Sequence, residues 1–375
     1  MFEKEILNYK DLDIKISDFA NEDILYLLNN TILGSEGGMR YSLQNINTRI
    51  AEYGDKIRFI SLYLKGQLAG TIGACYRSTG QGRLQVHSSY LRYLAFQPLY
   101  QSDLSAGSGK REPLREEKED TFRYRVLELF GKPHMLGFTE EPDNGKHILY
   151  AFIESMNERS KNLVHKAGYE YVRSFLTVAF SRFSPEVRKG VELLPENEMP
   201  LMTQLLNEYY RDYSLFTTEY AFVNRKYYVL RENGEIIAGA AAIPSVYRIF
   251  NIPGLWGWVI TKVLPEMPLY KRIFKPEMFR FLVFDAIYCK RGKERKLANL
   301  FESMCASEGF NTGLTWLDDR SRLYEELRTG AGMGALNRML NAKPGLVYIR
   351  FVNFKEEEKE VFFDSPAYIS GFDFS

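Results

Sequence analysis

Five basic residues, Lys290, Arg291, Lys293, Arg295 and Lys296, stand between an apolar, β-rich stretch (280–288) and a helix-forming stretch that begins at Leu297. Cationic side chains at a helix start oppose the helix dipole, so intrinsic helix stability does not account for them; a bound anion does. Gly292 sits inside the run, where a missing Cβ lets an anion approach the backbone N–H groups. The segment Lys290, Arg291, Gly292, Lys293, Glu294, Arg295 is therefore a candidate phosphate anchor, and a solvated basic turn is the alternative. Asp285 lies within the apolar stretch just upstream. It is either a proton acceptor facing a cleft or a buried carboxylate paired with an arginine. Tyr324 follows in a Leu-Tyr-Glu-x-Leu setting, one of 25 tyrosines, and packing is its alternative role. His87, one of four histidines, and Glu154 are the corresponding candidates in the first half.

The elements that position these residues follow from period and punctuation. Helices are expected at 21–30, 42–53, 119–130, 158–167, 196–210, 292–308 and 320–327. Strands are expected at 58–64, 68–76, 84–96, 147–153, 169–183, 226–231, 236–242, 280–288, 313–317 and 346–354. Lys65-Gly66-Gln67 and Glu232-Asn233-Gly234 punctuate two hairpins. Each turn glycine precedes a strand glycine, Gly70 and Gly239, and the element order repeats at an offset of about 160–170 residues, which predicts an internal duplication. The proline-rich stretch 184–200 marks the boundary, with domains at 1–184 and 185–375.

Residues 150–172, YAFIESMNERSKNLVHKAGYEYV, supply the sharpest pattern. Asn157 caps a helix, Leu163 and Val164 face inward, Gly168 ends the helix in the left-handed region, and Tyr169 opens the next strand. This stretch resembles the late strand–helix–strand of the GNAT superfamily of acyl-CoA-dependent N-acyltransferases. There, Asn-x-x-Ser/Ala begins a helix that ends in Lys-x-Gly-Phe/Tyr. The resemblance implies an α/β (α+β) fold of two GNAT-like units, each a mixed, mostly antiparallel sheet flanked by helices. It implies acetyl-CoA or a longer acyl-CoA as co-substrate, its pyrophosphate on a Gln/Arg-x-x-Gly-x-Gly/Ala loop, and a small-molecule or peptide amine as acceptor. It also implies a tyrosine that protonates the departing thiolate, the place Tyr324 takes. Asp285 is then the candidate base, and a splayed strand's backbone N–H the carbonyl donor.

Two departures qualify the match. In the first half, Gln101 with Gly107, Gly109, Lys110 and Arg111 stands where the phosphate loop belongs, but 102–117 reads as a surface insertion. In the second half only one loop glycine is present, and the glycine expected at 328 is an arginine.

With 49 basic and 48 acidic residues, the chain has no global attraction to nucleic acid or anionic membranes. A transferase working on charged tRNA loses support for that reason. No apolar run approaches the ~20 residues of a membrane span, and charges interrupt the N-terminal apolar groups. Three cysteines without metal spacing suggest a reducing compartment, with the cytoplasm as default. No Gly-x-Ser-x-Gly elbow, P-loop or metal-ligand spacing occurs. A non-catalytic module that binds CoA or a partner remains the alternative to an enzyme.

Overall fold

The computed structural model describes residues 2–9, 11–34, 37–97, 132–138, 145–268, 270–329, 332–339 and 342–375. The predicted loop at 101–118 and helix at 119–130 lie outside the described residues.

The first half runs β1 (Glu3–Tyr9), β2 (Leu12–Ser17), α1 (Glu22–Asn29), β3 (Arg40–Leu43), α2 (Ile46–Tyr53), β4 (Ile57–Leu64), β5 (Gln67–Thr79), β6 (Val86–Phe96), β7 (His147–Glu154), α3 (Glu158–Lys166) and β8 (Glu170–Ser181). The second runs β9 (Val191–Leu193), α4 (Met199–Tyr209), β10 (Lys226–Glu232), β11 (Glu235–Asn251), β12 (Phe279–Cys289), α5 (Leu297–Glu308), β13 (Thr312–Asp318), α6 (Arg322–Thr329), β14 (Gly345–Val352) and α7 (Glu356–Asp364). The edge strand β1 and its inner neighbour β2 escape the sequence pattern because charged residues interrupt their apolar positions.

The repeat is visible in local geometry. Lys65-Gly66 and Asn233-Gly234 all have positive φ (51°, 77°, 52° and 81°), as a two-residue hairpin turn of primed type requires. A bulge follows each turn, between Leu62 and Tyr63 and between Leu230 and Arg231 on the partner strands. The strand glycines do not correspond, however. Opposite Phe96 stands Gly70 and opposite Cys289 stands Ala238, so Gly239 is one place further on.

The two halves share one mixed sheet of 14 strands in the order β1-β2-β4-β5-β6-β7-β14-β8-β13-β12-β11-β10-β9, with β3 paired to β11. Only β6–β7 and β12–β13 are parallel among the described strand pairs. The sheets of the two units are joined edge to edge. Strand β8 pairs with β13 and β14, and β14 pairs with β7, so each half's last strand lies beside the other half. A cut at 184/185 falls between elements in the chain but leaves those ladders spanning it.

Helix α3 shows the predicted caps. Asn157 Oδ1 accepts the Ser160 N–H at 3.0 Å, and Gly168 has φ +75°. Its inward face matches expectation at Val164, which packs against the core, but not at Leu163. Leu163 is 47% exposed, while Ala167 and Tyr169 are buried with Leu149, Ala151 and Tyr348.

Candidate functional site

Two wedges in the sheet dominate its chemistry. Strands β6 and β12 are both 11 residues long, and each has a positive-φ residue at the same place, Tyr93 (58°) and Ala286 (45°). The ladders to β5 and β11 slip there, which marks a bulge. Parallel pairing of β6 with β7 stops at Leu91–Ala151, although the strands continue to Phe96 and Glu154. Pairing of β12 with β13 stops at Val283–Leu314, although they continue to Cys289 and Asp318. Beyond each stop the strands part, and the backbone groups facing the gap need other partners.

The second wedge supplies them internally. The Ala286 N–H reaches Tyr368 Oη at 3.1 Å and Asp285 Oδ1 at 2.9 Å. Tyr227 donates to the Ala286 carbonyl at 2.8 Å and Tyr210 to the Ile287 carbonyl at 2.6 Å. Burial lifts all three phenols well above their ordinary pKa, so they stay protonated donors. Asp285 is buried and serves as an anchor. It accepts from Tyr368 Oη (2.6 Å), Ser370 Oγ (3.1 Å), Gly371 N (2.9 Å) and Phe372 N (3.3 Å). Both carboxylate oxygens accept hydrogen bonds from segment 366–375, and Asp285 also lines a hollow with Tyr210, Asp318 and Ser321. Tyr368→Phe removes two of these bonds. It is expected to cost about 1–3 kcal/mol and to speed amide exchange across 366–375, measured by denaturation and hydrogen exchange.

The first wedge is different. Among the described residues, no side chain takes up the backbone of Tyr93, Leu94 or Ala95. The Tyr93 hydroxyl is buried without a described partner. Burial pushes its pKa up to about 12 against the opposing effect of Arg92, whose guanidinium lies 4.1 Å over the Tyr93 ring. Tyr150, Phe152 and Glu154 alternate onto one face of β7. Tyr93, Tyr150 and Phe152 join the central core cluster on that face. Glu154 ends the strand, its carboxylate so close to Gly38 that a Cβ there meets Oε1 at 2.0 Å. The Tyr41 phenol beside it is pushed up to about 12 by burial and by Glu154.

Behind the wedge lies a buried charge network. Arg92 occupies the place of Asp285, since each is the last paired residue before its bulge, opposite Gly73 and Ala241. Arg92 donates to Tyr53 Oη at 2.7 Å, and Tyr53 donates to Asp373 at 3.2 Å. Arg77 grips Asp373 with two bonds of 3.1 and 2.8 Å, its guanidinium between the rings of Tyr90 and Tyr220. Phe374 then stacks on Trp316 of β13 and on Phe152 of β7. Segment 366–375 therefore spans both wedges.

The basic loop folds onto its own hairpin. Lys290 pairs with Glu235 at 2.5 Å, and Lys293 and Lys296 pair with Glu232 at 2.5 and 3.0 Å. Hydrogen bonds from Lys293 and Lys296 hold the Glu232 pKa below its ordinary value. The half-exposed and exposed placement of these groups makes such pairs weak. Glu294 is buried, and its Oε1 accepts the Gly292 N–H at 3.1 Å and a bond from Arg322. A carboxylate of the loop itself thus sits on the glycine N–H. Arg291 and Arg295 are exposed. Tyr324 packs at the edge of the cluster formed by β8, β12 and α5, and burial raises its pKa. No hydrogen bond among the described residues joins it to Asp285, and Ser321 and Leu323 of its turn line the hollow beside Asp285 and Asp318. His87 lies at the far end of β6, its Nδ1 2.8 Å from Tyr76 Oη.

Sequence reasoning missed Arg92, Tyr93, Arg77 and the whole of segment 366–375. The one available signal was Arg92 itself, a charge inside the strand run Tyr90-Leu91-Arg92-Tyr93.

No protein-family model matches the chain, and no curated protein matches its sequence. Solved structures do match in fold. N-myristoyltransferase of Saccharomyces cerevisiae with bound myristoyl-CoA superposes with a TM-score of 0.53 at 11% identity, over 94% of this chain and 85% of that one. A second structure of that enzyme with bound myristoyl-CoA gives 0.53 and 11%, over 93% and 81%. A GCN5-related N-acetyltransferase from Anabaena variabilis gives 0.46 and 11%, over 90% and 72%. The chain has a tandem GNAT-like fold, like that of the yeast enzyme.

Proposed function

We propose that this chain is an acyl-CoA-dependent N-acyltransferase whose acyl donor lies in the wedge between β6 and β7. The observation that carries the reading is the contrast between the two bulges. At Ala286 the protein's own tyrosines fill the gap, whereas at Tyr93 no described side chain claims the backbone. The myristoyl-CoA bound to the yeast enzyme of the same fold supports an acyl-CoA as donor. In the proposed reaction the acceptor ammonium first loses a proton to Glu154, the neutral nitrogen attacks the thioester carbonyl carbon, and the C–S bond breaks as the remaining excess N–H proton passes to the departing thiolate. A bulge N–H stabilises the oxyanion. Glu154, at the open end of β7, accepts the proton that the amine must lose. Tyr93, held protonated, donates a hydrogen bond at the same centre. The acyl group is acetyl or longer, and the acceptor a small-molecule or peptide amine.

A second reading places the donor's phosphates on Lys290, Arg291, Gly292, Lys293, Glu294 and Arg295, with Tyr324 as general acid and Asp285 as base. It is supported by the exposed Arg291 and Arg295 and by the open space around Gly292, where an added Cβ meets nothing within 4 Å.

Hydrogen exchange with a non-hydrolysable acyl-CoA separates them. The first reading expects protection at 92–97 and 152–155 with little change at 286–296. Protection confined to 289–299 favours the second, and protection at neither sinks both. Binding without turnover of any amine in a broad screen leaves a CoA-binding module.

A further inference from the structure

The hairpin that carries each bulge closes very differently in the two halves. Residues 80–85 join β5 to β6, whereas residues 252–278 join β11 to β12. The longer connection is thus not required by the fold, because the shorter one closes the same pair of strands.

Its composition is unlike the rest of the surface. From 248 to 280 there are six basic residues (Arg248, Lys262, Lys271, Arg272, Lys275 and Arg280) against Glu266 and Glu277, whereas the whole chain is balanced at 49 to 48. Large apolar side chains are exposed in the same stretch: Phe250 43%, Trp258 57%, Val263 37%, Met267 46% and Met278 49%. Scattered exposed apolar residues need no explanation, but a run of them rimmed by cations does. The connection is also held in place. Ile273 and Phe274 are buried, and Ile252, Val259 and Tyr270 pack against the central core. A continuous helical run, Gly254–Trp258, Val259–Val263 and Leu264–Glu266, is followed by short turns at Tyr270–Arg272 and Pro276–Met278, and no helix of the described residues is long and apolar enough to cross a membrane.

We infer that residues 250–278 dock the protein on the surface of an anionic phospholipid bilayer. Trp258, Phe250 and the methionines enter the headgroup–acyl boundary, and Lys262, Lys271 and Arg272 meet the lipid charge. Long basic side chains lay their methylenes along the apolar layer while the charged ends reach the phosphates. The connection leaves β11 beside β3, where Asn251 stands opposite Arg40 and Ile249 opposite Tyr41. Tyr41 is the neighbour of Glu154, so docking brings the mouth of the first wedge to the lipid surface. The inference itself is independent of the acyltransferase reading.

Cosedimentation of the full chain with vesicles tests it, comparing phosphatidylcholine alone with phosphatidylcholine containing phosphatidylglycerol. Binding to the anionic vesicles is expected at low salt and declines as salt screens the charges. Lys262→Glu with Lys271→Glu and Arg272→Glu is expected to weaken it at least about tenfold. Trp258→Asp is expected to weaken it by a similar factor, since an exposed tryptophan supplies much of the apolar insertion. Both variants change exposed residues, so unchanged thermal unfolding confirms that the fold is intact. Equal binding to neutral and anionic vesicles, no binding to either, or binding insensitive to both variants overturns the proposal. So does a dimer in sedimentation velocity that Trp258→Asp dissociates without altering vesicle binding, because the face then belongs to a second copy of the chain.

Discussion

Asparagine in place of Asp373 is expected to lower unfolding stability by about 3–5 kcal/mol, the scale for breaking a buried ion pair from one side. Asp373 and Arg77 are each 1% exposed at the side chain, and two hydrogen bonds join them. Burial alone lowers an arginine's pKa, but Asp373 and the nearby phenols raise that of Arg77 well above its ordinary value. The guanidinium therefore remains charged, with nowhere to shed its proton. Removing the carboxylate charge leaves the Arg77 guanidinium charged in an apolar core without the carboxylate that both its hydrogen bonds reach. The rings of Tyr90 and Tyr220 offset only part of that cost. Arg77→Met is expected to be similarly harmful, because it strands Asp373. The double variant Arg77→Met with Asp373→Leu is expected to recover much of the loss, since two apolar residues carry no uncompensated charge. Urea denaturation of the parent, Arg77→Met, Asp373→Leu and the double variant measures the coupling. A loss below about 1 kcal/mol for either single variant contradicts the assignment, because such a value belongs to an exposed pair.

The largest effect on activity is expected at Glu154. On the proposed mechanism Glu154→Gln removes the group that takes the amine proton, and kcat/KM falls by about 100- to 10,000-fold. Acyl-CoA affinity is expected to stay within about threefold, because the donor is held by the strand backbone on the opposite side of the wedge. Amines of lower basicity, already neutral at the assay pH, should be less affected by the substitution. Glu154 is half-buried at a strand end, so the change in stability is expected to be small. Tyr324→Phe serves as the comparison. If it abolishes turnover while Glu154→Gln leaves the rate unchanged, the chemistry belongs to the second wedge and the first-wedge proposal is wrong.

Features set within a few residues are legible in the amino-acid sequence. The turn pairs Lys65-Gly66 and Asn233-Gly234 demand positive φ, Asn157 caps a helix, Gly168 ends it, and apolar alternation marks the long strands. The repeated element order follows from these, and so does the fold. Sequence and structure part where a local pattern has two solutions. Leu163 fits an inward helical face in sequence, yet it is exposed, and Val164 and Ala167 make the contact with the core. Lys290, Lys293 and Lys296 have the pattern of an anion site, but Glu232 and Glu235 of the neighbouring hairpin lie beside them and take up their charge.

The sequence by itself determined the two-fold repeat, the hairpins, the α3 caps and the positions of the paired strands that open the wedges. Tertiary structure alone decided the exchange of β8 and β14 across the sheet, because any strand with the right alternation can satisfy either neighbour's ladder. It alone decided how the second wedge is filled. The groups that close the second wedge come from α4, β10 and segment 366–375, and Arg77 meets its partner across 296 residues of chain. No local preference encodes a contact of that separation. It follows from desolvation, which makes a buried carboxylate and a buried guanidinium intolerable apart and stable together.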